Sequence, residues 1–99
     1  MNTKKLRVVA LFQAQKGNEK KVLDLLTQLI EPTRKEKGCV FYELHQNLNN
    51  PQDIAFIEEW ESEADLNVHL ESAHIKEIIP QVLPLLVSVP DVRRYKLKG

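Results

Sequence analysis

Cysteine is nearly absent from this sequence, and so are the features of secreted and membrane-spanning chains. Cys39 is the single cysteine among 99 residues, so no disulfide can close within the chain. No apolar run approaches the roughly 20 residues that span a bilayer, and the polar start MNTKK lacks the apolar segment of a secretory signal. We therefore expect a cytoplasmic protein without membrane contact, with a flexible N-terminus over residues 1–5.

The sequence also lacks an excess of charge and any glycine-rich loop. Its 14 basic and 14 acidic side chains balance, which argues against a nucleic-acid partner or a polybasic membrane anchor. Gly17, Gly38 and Gly99 stand singly, so no loop of the kind that cradles nucleotide phosphates is present. We expect neutral or mixed-charge partners and no nucleotide cofactor.

The first third of the chain predicts a strand followed by an interrupted helix. Residues 6–13, LRVVALFQ, have the composition of a buried strand. Apolar residues then recur with a helical period at Val22, Leu25, Leu26, Leu29 and Ile30. Pro32 has no backbone N–H, so we expect the helix to kink or end there and to resume over Thr33–Lys37. Gly38 suits the left-handed position that follows a helix end.

Two strands separated by turn residues predict an antiparallel hairpin. Residues 39–47, CVFYELHQN, alternate so that Tyr42 and Cys39 lie on opposite faces. Residues 47–53, NLNNPQD, have turn chemistry, and residues 54–60, IAFIEEW, form the return strand. One face of the return strand carries Ile54, Phe56, Glu58 and Trp60.

A second helical region follows the hairpin. Ser62 and Asp65 resemble a capping box, which starts a helix after the return strand. Leu66, His69, Leu70 and Ala73 form one stripe of this helix. His69 therefore points towards the sheet with the leucines.

Three prolines shape the last third of the chain. The helical period continues from Ile75 to Leu86, but Pro80 and Pro84 predict two or three short helical pieces. Residues 87–97, VSVPDVRRYKL, predict a final strand. Pro90 places that strand at a sheet edge, or its first residues outside the ladder.

The order strand, helix, strand, strand, helix, strand predicts an α+β fold of the ferredoxin-like βαββαβ type. Its four-stranded antiparallel sheet carries both helical regions on one face, within a single domain over residues 6–97. The other face is left bare although the strands carry apolar residues on both faces. We expect a second copy of the chain to cover it, in a homodimer formed through the open sheet face.

The residues at these corners resemble those of the antibiotic biosynthesis monooxygenase domain. The resemblance lies in the Gly38-Cys39 junction, Tyr42, the run Glu59-Trp60-Glu61-Ser62, His69-Leu70, Ser72 and His74. It is strongest to the small bacterial members that are similar to quinol monooxygenases. The resemblance implies a dimeric α/β-barrel assembly. For some members it also implies oxygenation of quinols or polycyclic phenols by O₂ without metal or flavin.

Haem and metal chemistry find little support in the sequence. Haem-degrading members of the family carry an asparagine on the first strand and a proximal histidine further along the second helix. Residues 6–13 contain no asparagine here, and residues 75–87 contain no histidine. His69 and His74 lie five residues apart, about 140° around one ideal helix, so we predict no metal site. We accordingly expect no cofactor.

General acid–base chemistry is the reaction type that the remaining side chains favour. Oxidation of a phenol by O₂ first needs the electron-rich anion, so the protein must supply a base, donors to the anion and a dry cavity. A neutral imidazole suits that base at neutral pH. His69 is the first candidate for base or proton relay, with a satisfied core histidine as the alternative.

Two aromatic residues are further catalytic candidates. Trp60 could orient a quinol oxygen through its indole N–H, a role that the resemblance favours, or could pack in the core or a dimer contact. Tyr42 could donate to a developing phenolate, and packing is an equal alternative.

Four residues are candidates for binding the substrate: Glu58, Phe56, His45 and His74. Glu58 and Phe56 share the face of Trp60. Glu58 could be a base raised by burial, a partner of Arg93 or Arg94, or a solvated carboxylate. His45 lies near the loop end of its strand, and His74 follows an irregularity in the helix.

The sequence therefore favours a cofactor-independent monooxygenase that oxidises a quinol-like or polyphenolic small molecule with O₂. One alternative is an isomerase or lyase acting on a small carbonyl compound, for which the same base would serve without O₂. A dimeric ligand-binding or stress-related module without catalytic activity is the other alternative.

Overall fold

The computed structural model describes residues 5–99, in which four strands and two helical regions, each made of two helices, follow one another in the predicted order. The elements are β1 (Leu6–Gln13), α1 (Glu19–Thr27), α2 (Ile30–Arg34), β2 (Cys39–Gln46), β3 (Asp53–Trp60), α3 (Glu63–Leu70), α4 (Ala73–Val82) and β4 (Asp91–Tyr95), with a 3₁₀ turn at Leu83–Leu85. Residues 1–4, and with them most of the predicted flexible N-terminus, lie outside the described residues. Within the described part of the chain, no helix is long and apolar enough to cross a bilayer.

The four strands form one antiparallel sheet in the order β2-β3-β1-β4. The helices pack on one face of it, so the predicted ferredoxin-like α+β fold is confirmed. The edge position predicted for the last strand is also confirmed. That strand is shorter than expected, because it begins after Pro90 and ends at Tyr95.

The helix-facing side of the sheet is built from alternate residues of the two central strands. Leu6, Val8, Ala10 and Phe12 of β1 and Ile54, Phe56, Glu58 and Trp60 of β3 are all buried. In the ladder Val8 lies opposite Glu58, and Tyr42 lies opposite Glu58 on its other side. The strand period therefore places a carboxylate in the middle of an apolar layer.

A bulge at the start of β2 changes the predicted faces of that strand. Cys39 lies opposite Trp60, whereas Phe41 lies opposite Glu59, so two residues of β2 span one step of β3. The simple alternation predicted for Cys39 was wrong there, because a bulge reverses the side on which residues before it point. The Cys39 thiol packs against the core instead of sharing the face of Phe41.

The prolines act only partly as expected. The first helix breaks at Gln28–Leu29, one turn before Pro32, because Pro32 has no N–H to donate to the Gln28 carbonyl. The last helical region divides into two short pieces, as expected: α4 and the 3₁₀ turn at Leu83–Leu85. The division comes beside Pro84, whereas Pro80 lies inside α4 without breaking it. Pro80 and Lys76, whose carbonyl loses its partner, are both exposed, so water can satisfy that carbonyl.

Gly38 joins α2 to β2 at a point where two elements meet closely. Its φ of +84° lies in the left-handed region, as predicted from its place after the helix. Its carbonyl accepts a hydrogen bond from the Glu61 N–H at 2.8 Å. The expected Ser62 cap beside it is formed, with the Asp65 N–H donating to the Ser62 hydroxyl at 3.2 Å. The reciprocal half of a capping box is replaced, because the Asp65 carboxylate accepts from the Ser62 hydroxyl at 3.0 Å. A side chain at Gly38 would overlap the Asp65 carboxylate.

We expect Gly38→Ala to lower the free energy of unfolding by about 3 kcal/mol, since backbone strain and overlap with Asp65 add. Gly17→Ala is the matched control. Gly17 also has a positive φ, of 95°, but a side chain there meets no atom within 4 Å, so the loss should be about 1 kcal/mol. Urea unfolding measures both values. Equal losses would contradict the close approach of Gly38 and Asp65.

Candidate functional site

A cavity of about 150 Å³ lies between the sheet and the pair α3 and α4. Its walls are mainly apolar side chains of β1, α3 and α4, including Val8, Phe12, Leu66 and Ile79. Leu70 and Val92 are 39% and 47% exposed at its outer end, whereas Tyr42 at its inner end is 2% exposed. The site is therefore a mainly apolar pocket that reaches from the protein surface into the core.

Three polar side chains line this pocket: Tyr42, Glu58 and His69. They come from β2, β3 and α3, and all three are buried. Because the walls around them are apolar, their hydrogen-bonding atoms are the groups that could orient a ligand.

Glu58 is a buried acid held by the neighbouring tryptophan. Its Oε1 accepts the Trp60 indole N–H at 2.9 Å, and the residue is 4% exposed. Burial raises the pKa of Glu58 to about 7, the Trp60 hydrogen bond opposes the rise, and the charge of Glu36 adds to it. Of the three alternatives considered for Glu58, the buried acid with a raised pKa is the one that the structure has, and the solvated carboxylate is excluded by its burial. The arginine pairing is not formed either, because Arg93 binds Asp91 and Arg94 binds Glu63.

Tyr42 is packed as a neutral phenol. Its ring stacks on Phe56 with centroids 4.3 Å apart and meets the His69 ring edge-on at 5.6 Å. Burial, and then the charge of Glu58, raises the pKa of Tyr42 far above its ordinary value. The hydroxyl therefore keeps its proton at neutral pH and can donate it in a hydrogen bond.

His69 is buried on the sheet-facing side of α3, as the helical stripe predicted. Its Nδ1 lies 2.7 Å from Oε2 of Glu36. Burial lowers the pKa of His69, and the hydrogen bond and charge of Glu36 oppose that shift. Its other ring nitrogen, Nε2, has no hydrogen-bond partner among residues 5–99.

Glu36 is the residue that sequence reasoning missed. Its Oε2 also lies 2.8 Å from Nε2 of His74, so one carboxylate oxygen joins two imidazoles. Glu36 is the single acid in the basic run RKEK, residues 34–37, before Gly38. An acid among the basic residues of a helix end was the one feature of the sequence that could have drawn attention to Glu36. Its contact with two histidines of other helices depends on the fold and could not be read from the sequence.

Trp60 does not line the cavity, although its ring is fully buried beside it. The indole packs on the His69 ring with centroids 4.7 Å apart, and its N–H donates a hydrogen bond to Glu58. Trp60, Glu58 and His69 are thus in one cluster on one face of the sheet. Trp60 thus contacts Glu58 and His69, two of the three polar residues that line the cavity, without lining it itself.

The remaining predicted binding residues divide between two sides of the sheet. Phe56 lines the cavity. His45 is exposed on the open face of the sheet and lies 3.1 Å from Glu43, away from the pocket. His74 also lies outside the pocket, where it contacts Glu36 and the Ser72 hydroxyl.

The same network could also hold a metal ion, which the sequence argument had discounted. One ligand atom each of Glu36, His69 and His74 lies within 4.8 Å of the others. The angular argument assumed one continuous helix and was wrong on that point, because α3 ends at Leu70 and α4 begins at Ala73. Two imidazoles and a carboxylate are donors that suit zinc and other transition metals.

Known proteins are similar to this chain in sequence and in fold. The family model described as "Antibiotic biosynthesis monooxygenase" matches residues 5–81. A conserved protein from Methanosarcina mazei Go1 superposes with a TM-score of 0.92 at 35% identity, covering 98% of this chain and 96% of that chain. The Escherichia coli K12 protein named "Probable quinol monooxygenase YgiN" is 31% identical over 81 residues, which cover 72% of this chain and 78% of YgiN.

A longer relative occurs in Synechocystis. The protein sll1783 of that organism is 28% identical over 90 residues, or 91% of this chain. The chain spans 61% of the length of sll1783.

The raised pKa of Glu58 predicts a measurable pH dependence of stability. The folded state holds a proton on Glu58 up to about pH 7, whereas an unfolded glutamate loses it near pH 4.5. Between these values the folded state binds more protons, so stability falls as pH rises. The total loss should be about 3 kcal/mol, from 1.36 kcal/mol per pH unit.

Glu58→Gln isolates this effect, since glutamine can still accept the Trp60 N–H but does not ionise. We expect the free energy of unfolding of the wild type to fall relative to Glu58→Gln by about 3 kcal/mol between pH 4.5 and pH 8. Urea titrations across this range measure the difference. A constant difference would contradict the buried, raised-pKa carboxylate.

Proposed function

Because this chain belongs to the antibiotic biosynthesis monooxygenase family, we propose that it is a cofactor-independent monooxygenase that oxidises a quinol-like or phenolic molecule with O₂. The observation that carries the proposal is the apolar cavity whose polar lining consists of Tyr42, Glu58 and His69. These three residues supply the base and the hydrogen-bond donors that formation of the anion requires. The apolar walls exclude water from the anion while it reacts with O₂.

The reaction begins with removal of a proton from the bound hydroxyl. Glu58, with a pKa of about 7, is ionised to a large extent at neutral pH and is one acceptor for that proton; Nε2 of His69 is the other. Tyr42 keeps its own proton and donates a hydrogen bond to the phenolate. The electron-rich ring can then reduce O₂.

The oxidation balances without an added reductant. A quinol with one free ring C–H and O₂ give a hydroxylated quinone and water. The ring loses four electrons, one oxygen atom forms the new C–O bond, and the other leaves as water with two protons. The substrate itself supplies every electron, so this proposal needs neither flavin nor metal.

The cavity volume favours a substrate with one aromatic ring. A cavity of this volume, about 150 Å³, holds a benzene molecule in a well-studied case of another protein. A polycyclic phenol would have to extend past Leu70 and Val92 at the outer end. We therefore place single-ring quinols first in the substrate panel.

Oxygen consumption by chelator-treated protein with a panel of hydroquinones tests the proposal. We expect uptake of one O₂ per quinol and one ¹⁸O atom in the product from ¹⁸O₂. Glu58→Gln should lower kcat by about 10²–10⁴-fold, the usual contribution of a general base. Uptake that is equal with and without protein would contradict the function.

Trp60→Phe tests the link from the indole to the carboxylate. It preserves most of the ring packing but removes the N–H that Glu58 accepts. Because that hydrogen bond opposes the rise, its loss should raise the pKa of Glu58 further. The rising limb of the kcat profile should move to higher pH, and an unmoved limb would show that Glu58 is not the titrating base.

A second candidate function uses the same groups without oxygen. An isomerase or lyase acting on a small carbonyl compound would need a base and a donor beside an apolar pocket, and Glu58 and Tyr42 meet that need as well. Turnover of such a compound under anaerobic conditions would favour this class over the monooxygenase.

We also propose that the open face of the sheet is covered by a second copy of the chain. Its centre is apolar and half-buried (Val9, Leu11, Phe41, Ala55 and Ile57). Charges of both signs border it, with Arg7 bonded to Glu59 and Arg93 to Asp91. A surface that carries both signs around an apolar centre can pair with itself in a twofold dimer without net repulsion.

Ile57→Glu should disrupt this dimer, because the substitution places a carboxylate from each copy in the apolar centre of the proposed interface. Light scattering after gel filtration measures the mass, with dimer expected for the wild type and monomer for the variant. Val68→Glu is the matched control, since Val68 is 69% exposed on the helical side of the fold. A monomeric wild type would contradict the proposed interface.

A further inference from the structure

The geometry around Glu36 determines which nitrogen of His69 is free to react. Oε2 of Glu36 lies 2.7 Å from Nδ1 of His69 and 2.8 Å from Nε2 of His74. An ionised carboxylate oxygen can only accept hydrogen bonds, so each facing ring nitrogen must carry a hydrogen. In a neutral His69 ring the lone pair is then on Nε2.

Nε2 is the nitrogen that can act on a molecule in the cavity. His69 lines the pocket, its Nδ1 is occupied by Glu36, and its Nε2 has no partner among the described residues. Glu36 itself does not line the pocket. The carboxylate is therefore on the Nδ1 side of the imidazole and outside the lining of the cavity, which leaves Nε2 as the nitrogen available to a ligand.

We propose that Glu36 is a positioning residue that holds His69 in the Nδ1–H tautomer, with the Nε2 lone pair directed at the substrate hydroxyl. His74 supports the arrangement as a second donor to the same carboxylate oxygen, at 2.8 Å. This inference rests on the proposed function, because it assigns the acceptor role of His69 within that site.

The packing makes this orientation specific. The His69 ring lies between the Trp60 indole, at 4.7 Å, and the edge of the Tyr42 ring, at 5.6 Å. These aromatic neighbours restrict rotation of the imidazole, and the Glu36 hydrogen bond selects one of its two tautomers. A histidine with a bulk-solvent partner at Nδ1 would sample both tautomers.

The tautomer can be measured without any substitution or turnover. In ¹⁵N-labelled, chelator-treated wild type at pH 8, we expect His69 to show a protonated Nδ1 and an unprotonated Nε2. The reverse tautomer would overturn the inference. So would stoichiometric Zn²⁺ binding that moves the His69 and His74 signals together and is required for turnover, because Nδ1 would then be a metal ligand.

Glu36→Gln tests the consequence for the reaction. Glutamine has nearly the same shape but no charge, and it no longer requires both imidazoles to donate. We expect kcat to fall by about 10²–10⁴-fold with KM changed by less than about threefold, as for an orienting acid behind a catalytic imidazole. The Nδ1–H tautomer of His69 should lose its dominance in the same variant.

Glu43→Gln is the matched control. Glu43 also pairs with a histidine, His45, at 3.1 Å, but on the exposed side of the sheet away from the cavity. It should leave kcat within about twofold. Equal effects of Glu36→Gln and Glu43→Gln, or an unchanged kcat in a folded Glu36→Gln, would overturn the inference.

Failure here and failure of the proposed function give different results. If no quinol is oxidised by the wild type, the proposed function fails, and the ¹⁵N spectrum still decides the tautomer. If quinols are oxidised and His69 carries its hydrogen on Nε2, the function stands and the positioning role of Glu36 is overturned.

Discussion

The burial of one carboxylate in an apolar layer is the constraint on which the rest of the site depends. Strand β3 alternates so that Glu58 points to the helices together with Ile54, Phe56 and Trp60. An isolated charge there would be costly. Glu58 accepts one hydrogen bond, from the Trp60 indole N–H, and its pKa is raised towards neutrality by burial. A general base that titrates near the working pH follows from this compromise.

A second carboxylate complements the first from the other side of the aromatic cluster. Glu36 lies in the turn after α2 and accepts hydrogen bonds from two imidazoles. Glu58 accepts a hydrogen bond from the Trp60 indole and lines the cavity. The rings of Tyr42, Trp60 and His69 fill the space between them. The two acids thereby take different roles, because Glu58 lines the cavity and Glu36 lies behind a histidine.

Much of this arrangement follows from local sequence patterns. The period of two in β3 predicts that Glu58, Phe56 and Trp60 share a face, and the helical stripe predicts that His69 points at the sheet. Ser62 and Gly38 mark a helix start and a helix end by their own chemistry. The fold class and the cluster are predictable because each rests on a short repeat that a few residues define.

The parts that were missed depend on long-range placement. Glu36 contacts His69 and His74, which lie 33 and 38 residues further along the chain, and no local sequence pattern predicts these contacts. An irregularity before His74 was expected, and it lies between α3 and α4 at Ser72, but the sequence did not indicate that this break would bring His74 to Glu36. The Cys39 bulge likewise depends on how β2 meets Trp60, a partner in another strand.

The most direct test of the account is a titration of the Glu58 carboxyl by ¹³C NMR, with Glu58→Gln to assign the signal. The account predicts a pKa of about 7 and a change in that pKa when a single-ring phenol is added at saturating concentration. A pKa near the ordinary 4.5, unaffected by any phenol, would contradict the central claim that this buried carboxylate is an acid–base group of the cavity.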